Sequence, residues 1–244
     1  MLPSRWFISF LVSIFVFGIS IGASAQLQDR SALQAKMESL RAQIQAKERV
    51  FLAPSAEDLA AFAGFLRRPD TGMARLMPRE TYDGKLLIRG GGAYYSFARL
   101  TNEYGFGSDI GLEQGQLRVG FAGADFGFLT SLGDVAIDSV TAEHPGVNYL
   151  AEFKTPSAET DAREQYRRAG TGFEVGGFAY RSFLSANLNT TYALRSVDYG
   201  VSDLLVAFRV TRQDSDGSLT LVWTILKKFP VPQLAQERSG ETAR

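Results

Sequence analysis

Arginine, aspartate and tyrosine side chains recur at related places in two parts of the sequence. Residues 90–97, GGGAYYSF, return at 176–183 as GGFAYRSF, with six of eight positions identical, and an arginine and a Ser-Asp pair follow each copy. A guanidinium fork matches carboxylate and phosphate groups, and tyrosine rings can stack on sugars. The repeat therefore predicts six candidate ligand-binding residues: Tyr94, Arg99, Asp109, Tyr180, Arg195 and Asp203.

The same residues also have purely structural uses. Ser108-Asp109 and Ser202-Asp203 each precede an apolar run, where short polar side chains commonly bond the local backbone in turns. Tyrosine and arginine beside glycine are ordinary cross-strand partners. The two arginines and two aspartates could also converge on a pseudo-twofold axis and pair with one another.

Paired carboxylates would suit a second chemistry, the hydrolysis of glycans. A glycosidase needs two carboxyl groups about 5 to 9.5 Å apart across a cleft. Asp109, Asp125, Glu174 and Asp203 are the available candidates. Sequence alone does not show any two of them facing each other.

Other catalytic and metal signatures are missing from the sequence. His144 is the single histidine, no G-x-S-x-G elbow occurs, and the chain has no cysteine. The turn sequence around His144 predicts an exposed loop residue. Asp214 and Asp216 open a hairpin turn rather than a calcium loop, which would need a downstream glutamate. We therefore predict no cofactor and no metal, and favour a non-enzymatic protein.

The first 25 residues have the pattern of a secretory signal peptide. Arg5 precedes an apolar run over residues 6–21, and Ala23-Ser24-Ala25 forms a cleavage site. The alternative is an uncleaved anchor, for which the run is short. Removing Arg5 from 26 basic residues leaves 25 against 26 acidic ones, a net charge of −1. This balance argues against nucleic-acid binding. We predict export to the periplasm or extracellular space, with no membrane span after cleavage.

A helical leader is predicted over residues 26–69. Its first part carries a short heptad seam of Leu33, Met37, Leu40 and Ile44. This seam indicates a homo-oligomer formed through residues 26–52, a short coiled coil. The alternative is an amphipathic helix that packs on its own domain or acts as a spacer. A second helix begins near Ser55, the start of a serine-x-x-acid signal.

From about residue 70 the pattern becomes that of β-strands. Alternation around Leu117, after Gly123 and in two runs near the C-terminus predicts strands, and the last two runs predict a hairpin covered on both faces. One helix interrupts them after Pro156. The predicted fold is a mainly β, antiparallel sandwich or barrel-like domain over 70–230. It would consist of two related halves (about 84–132 and 170–229), followed by a flexible tail at 231–244.

These observations favour an exported, non-enzymatic envelope or extracellular protein that binds a protein or glycan partner through its β domain. Two alternatives stay open: a carboxylate-dependent glycan hydrolase, and a structural protein that self-assembles through its leader.

Overall fold

The structure, a computed structural model, describes residues 6–85, 89–102, 104–105, 107–121 and 123–235, with side chains from residue 29 onward. The chain divides into two compact units, Met1–Phe51 and Leu52–Arg244. Residues 1–5 of the predicted signal peptide lie outside the described residues, as do the side chains of the rest of it. No helix in the described part of the chain has the length and hydropathy needed to cross a membrane.

The first unit is the helix α1 (Trp6–Phe51). Its second part contains neither glycine nor proline and consists largely of strong helix formers, which explains its continuity. The seam residues are solvent-exposed, with Leu33 at 62%, Met37 at 54%, Leu40 at 49% and Ile44 at 41%. An apolar stripe at heptad spacing therefore lies open to solvent.

The second unit is mainly β, and all of its sheets are antiparallel, as predicted. Sheet 1 has the strand order β1-β11-β10-β9-β5, sheet 2 the order β2-β3-β4-β8, and β6 pairs with β7 in a small hairpin. The strands are β1 (Thr71–Leu76), β2 (Tyr94–Tyr95), β3 (Ile110–Glu113), β4 (Gln116–Arg118), β5 (Phe126–Gly133), β6 (Phe173–Val175), β7 (Phe178–Tyr180), β8 (Phe183–Ser185), β9 (Thr191–Asp198), β10 (Ser202–Gln213) and β11 (Leu219–Lys228).

Two apolar cores lie on opposite faces of sheet 1. One core lies between the two sheets and includes Ile110 and Leu117 from sheet 2, Phe97 just after β2, and Phe208 and Trp223 from sheet 1. The other lies between sheet 1 and the layer formed by helices and the β6–β7 hairpin. The sandwich thus has sheet 1 as its middle layer, and this sheet is covered on both sides.

The β10–β11 hairpin shows why both faces are covered. Leu204, Val206 and Phe208 point into the core between the sheets, while Leu205 and Ala207 point into the second core. Successive side chains of a strand face opposite ways, so the apolar run of residues 204–208 places apolar side chains on both faces of β10, as expected for a strand covered on both sides. The prediction of a central hairpin is confirmed.

In the described part of this unit, three α-helices accompany the sheets: α2 (Ala56–Ala61), α3 (Pro145–Glu152) and α4 (Glu159–Thr171). The Ser55 side chain accepts from the Asp58 backbone N–H at 3.0 Å, so the predicted helix start is confirmed. The α2 helix ends at Ala61, before residue 69 where the predicted leader ends, and a short 3₁₀ turn, Phe65–Arg67, follows it.

Helix α3 was not predicted, and the interpretation of His144 as an exposed loop residue was wrong. His144 is half-buried and caps α3, with its Nδ1 accepting from the Gly146 N–H at 3.2 Å. Pro145 occupies the first turn, where its missing N–H costs nothing. The same Pro-Gly sequence that marks turns can therefore also begin a helix.

The C-terminal segment stays attached to the domain through the last described residue. The Gly200 N–H donates to the Pro232 carbonyl at 2.8 Å, and the Ala235 N–H donates to the Ser157 carbonyl at 2.7 Å. Leu234 packs against the second core. The tail predicted to begin at 231 is thus held as far as residue 235, and residues 236–244 lie outside the described part.

Candidate functional site

The six predicted ligand-binding residues do not meet at one surface. Tyr94, Tyr180 and Arg195 are buried, with relative exposures of 5%, 0% and 1%, and only Arg99 among the tyrosines and arginines of the set is exposed. The two tyrosines and two arginines therefore do not form one exposed ligand-binding face, because the folded domain uses three of these four side chains internally.

Arg195 and Asp203 form a buried ion pair between the neighbouring strands β9 and β10. Arg195 Nε lies 2.5 Å from Asp203 Oδ1, and Nη2 lies 2.9 Å from Oδ2, which is the bidentate geometry of a guanidinium on a carboxylate. Burial lowers the pKa of Arg195, and the bond to Asp203 opposes that shift. The pairing that the sequence left open for the arginines and aspartates thus exists for this one pair.

This ion pair also holds two neighbouring segments. Arg195 Nη1 donates to the Leu150 carbonyl in α3 at 2.9 Å, and the Thr155 hydroxyl donates to Asp203 Oδ2 at 2.6 Å. The Phe229 ring covers the guanidinium, with its centroid 3.1 Å from Arg195 Cζ. The polar atoms of the pair are therefore bonded inside the protein. A pocket of about 430 Å³ lies beside them, lined by the α3–α4 connection and the C-terminal segment.

The two tyrosines of the repeat are structural side chains in different places. The Tyr94 hydroxyl donates to Glu113 Oε1 at 2.5 Å, and burial with this bond raises the pKa of Tyr94. The Tyr180 hydroxyl donates to the Gly146 carbonyl at 3.1 Å, and its ring stacks on Phe173. Burial raises the pKa of Tyr180 as well. Neither hydroxyl is directed to solvent.

The two copies of the repeat also make different contacts. In the first copy, Asp109 Oδ2 accepts from the Phe97 N–H at 2.7 Å and from Ser96 Oγ at 3.2 Å, whereas the matching Asp203 binds Arg195. The first copy contributes the short strand β2 to sheet 2, whereas the second runs from the β6–β7 hairpin to the start of β8. The described residues show no symmetry between two halves, so that architecture stays a prediction.

The candidate hydrolase carboxylates are mostly covered. Asp109, Asp125 and Asp203 have exposures of 0%, 6% and 2%, while Glu174 is exposed on β6. Asp125 Oδ1 accepts from the Tyr199 N–H at 2.9 Å, and burial raises the pKa of Asp125. Asp109 and Asp125 lie near a third acid, Asp198, which the sequence analysis did not select. Asp198 could have been identified as a charged residue, two positions after Ser196, on the face of β9 that is otherwise mainly apolar.

A second pocket opens at one end of the sandwich, and we name it the mouth pocket. Its volume is about 380 Å³, within the range of small-molecule sites. The apolar lining belongs to Phe97, Leu204, Trp223 and Ile225, which extend from the core between the sheets, and Leu100 stands at the rim with 62% of its surface exposed. Asp70 and Lys228, also in its wall, form an ion pair at 2.5 Å.

The mouth pocket can accept an apolar group, and the Asp70–Lys228 ion pair lies beside this apolar part. Strand β10 begins there and β11 ends there, so the two longest strands fix the positions of Leu204, Ile225 and Lys228. Sequence reasoning missed this site because its residues come from four separate segments. In the described part of the chain, no group of three or more Asp, Glu, His or Cys side chains is arranged to hold a metal ion.

Comparison of the chain with protein-family models, with characterised proteins and with solved structures found no match in any of the three. The function must therefore be argued from the geometry of the molecule itself.

Proposed function

We propose that this chain is an exported, non-enzymatic protein of the envelope or extracellular space. In this proposal the β domain binds an apolar group of a partner or polymer in the mouth pocket, and α1 associates with a second copy of the chain. The observation that carries the proposal is the mouth pocket itself, whose apolar lining continues the core and opens to solvent beside the Asp70–Lys228 ion pair.

The pocket favours binding because it has the usual makeup of a ligand site. Such sites have mostly apolar and aromatic walls with few, well-placed polar groups. The Asp70–Lys228 pair gives a ligand with a polar end a second contact, and the exposed Leu100 can close over the apolar part. Arg195, Asp203 and Asp109 of the repeat contribute instead to internal bonds.

The alternative of a carboxylate-dependent hydrolase fits the described geometry less well. Asp203 is committed to Arg195 and Thr155, and Asp109 accepts from the backbone of residue 97. A general acid or nucleophile must touch its substrate, so these buried carboxyl groups would first have to be uncovered. Glu174 is the exposed member of the candidate set.

A thermal-shift screen of the mature chain, from Gln26 onward, tests binding. The panel holds lipids, soluble glycans, peptidoglycan fragments and divalent metals. A ligand at about 100 times its Kd stabilises by about 2.7 kcal/mol, which should raise the midpoint by about 5 to 10 °C in a domain of this size. We expect a shift with ligands that carry an apolar group.

The variant Leu100→Gln locates the effect. Losing an apolar contact at the rim should weaken the affinity about tenfold, since 1.4 kcal/mol corresponds to a factor of ten. The matched control is Leu188→Gln, because Leu188 is also exposed, at 48%, and is not part of the mouth pocket. A flat panel, or equal loss in both variants, would count against the mouth pocket.

A further inference from the structure

A cluster of buried polar side chains lies at one end of the core between the two sheets. Asp198 and Ser196 follow Tyr192 and Leu194 on the same face of β9, the face that points toward sheet 2. Ser202 is the cross-strand partner of Asp198 in β10. Asp109 lies just before β3 of the other sheet, and its neighbour Ile110 belongs to the same core as Tyr192 and Leu194.

These groups leave specific oxygens without protein partners. Asp109 is 0% exposed and Asp198 is 4% exposed. Asp109 Oδ2 is used by residues 96 and 97, but Asp109 Oδ1, Asp198 Oδ2 and Ser202 Oγ are buried and unpartnered. A buried carboxylate oxygen without a hydrogen-bond donor is strongly unfavourable, so this arrangement needs a donor that the other protein groups do not supply.

A proton supplies it. Burial raises the pKa of Asp198, and the Asp109 carboxyl group adds to this rise through its charge and a side-chain hydrogen bond, which places the two groups next to each other. Two ionised carboxylates have no donor between them and repel, whereas a carboxyl and a carboxylate form a short, charge-assisted hydrogen bond. One proton on this acid pair, Asp109 and Asp198, therefore provides the missing donor.

We propose that Asp109 and Asp198 share a single proton and that this proton is a pH-sensitive connection between the two sheets of the sandwich. Asp109 belongs to the segment that enters sheet 2, and Asp198 ends a strand of sheet 1. When the proton leaves, the same two side chains repel across the interface between the sheets. This property is independent of what the mouth pocket binds.

The surroundings of the pair favour the protonated form. Burial raises the pKa of Asp198 to about 9, and the carboxylates of Asp109 and Asp125 act in the same direction. Arg99 is the neighbouring cation and acts in the opposite direction. Burial likewise raises the pKa of Asp109, and burial together with the charge of Asp109 raises the pKa of Tyr95.

The sign of the pH dependence follows from these shifts. An aspartate in the unfolded chain has an ordinary pKa near 3.8, so between pH 4 and 9 the folded state holds one proton more than the unfolded state. Stability therefore falls as pH rises through this window, and the loss is complete above the folded pKa. The pair is most favourable in acid and least favourable at alkaline pH.

The experiment compares the full mature chain with Asp198→Asn in urea titrations at pH 5, 6, 7 and 8. For one extra proton in the folded state, the unfolding equilibrium constant should increase about tenfold per pH unit. The asparagine amide can donate to Asp109 without a proton, so the variant should lose this dependence and be the more stable protein at pH 8. Asp138→Asn, at an exposed residue outside the cluster, is the matched control.

An infrared spectrum of the folded wild type gives a second, independent readout. We expect the carbonyl band of a protonated carboxyl group at pH 7 and its loss in Asp198→Asn. If that band is absent, or if Asp198→Asn keeps the wild-type pH slope, the proposal is wrong. A calcium-dependent rise in melting temperature that Asp198→Asn abolishes would also overturn it, since a cation would then neutralise the pair.

Discussion

Arg195 shows how a single side chain can fix several parts of this domain. Its guanidinium contacts β10 through Asp203, α3 through the Leu150 carbonyl and the C-terminal segment through the Phe229 ring. Removing a charge from water is costly, and the cost is offset only where every donor is satisfied. A buried arginine with this set of partners therefore specifies one arrangement of these segments.

The first prediction concerns this pair. Arg195→Met leaves Asp203 buried without its partner, and we expect a loss of about 3 to 5 kcal/mol in the free energy of unfolding. The double variant Arg195→Met/Asp203→Asn removes the unpaired charge and should be more stable than Arg195→Met alone. Urea unfolding at pH 7 measures both differences.

The matched control is Arg163→Met, at an exposed ion pair with Glu159 in α4. Exposed pairs one helical turn apart contribute only about 0.3 to 0.5 kcal/mol, so this variant should stay close to the wild type. Equal losses in Arg163→Met and Arg195→Met would contradict a special role for the buried pair.

At the scale of elements, two glycines have different roles. One is required by side-chain packing on a sheet, and the other only destabilises a helix. Gly72 lies opposite Trp223 in the β1–β11 pair, and a Cβ there would stand 2.3 Å from the indole Cζ2. Gly170 lies in α4 with no atom within 4 Å of the position of a Cβ. The first glycine permits close approach of a large ring, whereas the second only adds backbone freedom to a helix.

We therefore predict opposite effects of the same substitution. Gly72→Ala should destabilise the domain by about 1 to 3 kcal/mol, because the rigid indole has to shift. Gly170→Ala should stabilise it by about 0.5 to 1 kcal/mol. Thermal or urea unfolding of the two variants beside the wild type measures the signs, and a neutral Gly72→Ala would show that Trp223 can move without cost.

The elements that the sequence predicted well are those whose pattern is local. Strands β10 and β11 alternate over ten or more residues, and the Ser55 cap acts within one turn, so both were predictable. Helix α3 was missed because it begins with His144-Pro145-Gly146, residue types that are common in loops and β-turns. Its helical character depends on Val147 and Leu150 packing against sheet 1, a tertiary contact.

The candidate site could be predicted only in part, for the same reason. The aspartates and arginines were found from their spacing, yet whether Arg195 meets Asp203 or a ligand depends on strand pairing across β9 and β10. The buried cluster around Asp198 and the mouth pocket were not predicted. Each is formed by residues from separate strands that end at the same place in the fold. Burial decides the role of each of these residues, and it cannot be predicted from the sequence of any single segment.

At the scale of the whole molecule, the two units offer different kinds of surface. The β domain offers the mouth pocket at the end of its core, and α1 offers an apolar stripe along a helix. A small pocket alone supports modest affinity, whereas several copies on one assembly can bind a repeating partner far more tightly without any new contact. Self-association of α1 would thus complement the binding proposed for the β domain.

The last prediction tests that association through Leu40, which belongs to the exposed seam. Burying a leucine is worth about 1.5 to 3 kcal/mol, and a symmetric dimer loses that amount twice. The mature chain should therefore form a dimer or larger oligomer, and Leu40→Gln should shift it to monomer. Light scattering after size-exclusion chromatography, at several concentrations, measures the mass.

Ala42→Gln is the matched control, because residue 42 is exposed and lies two positions further along, on another face of the helix. It should leave the mass unchanged. Arg30 and Lys47 occupy the next seam positions on either side, so like charges limit the contact to two heptads and the dimer should dissociate on dilution. An apolar contact is not weakened by salt, unlike one made by surface charges. A monomer at every concentration would leave the seam as a solvent-exposed face of a spacer helix, and an equal loss of mass in both variants would place the contact elsewhere.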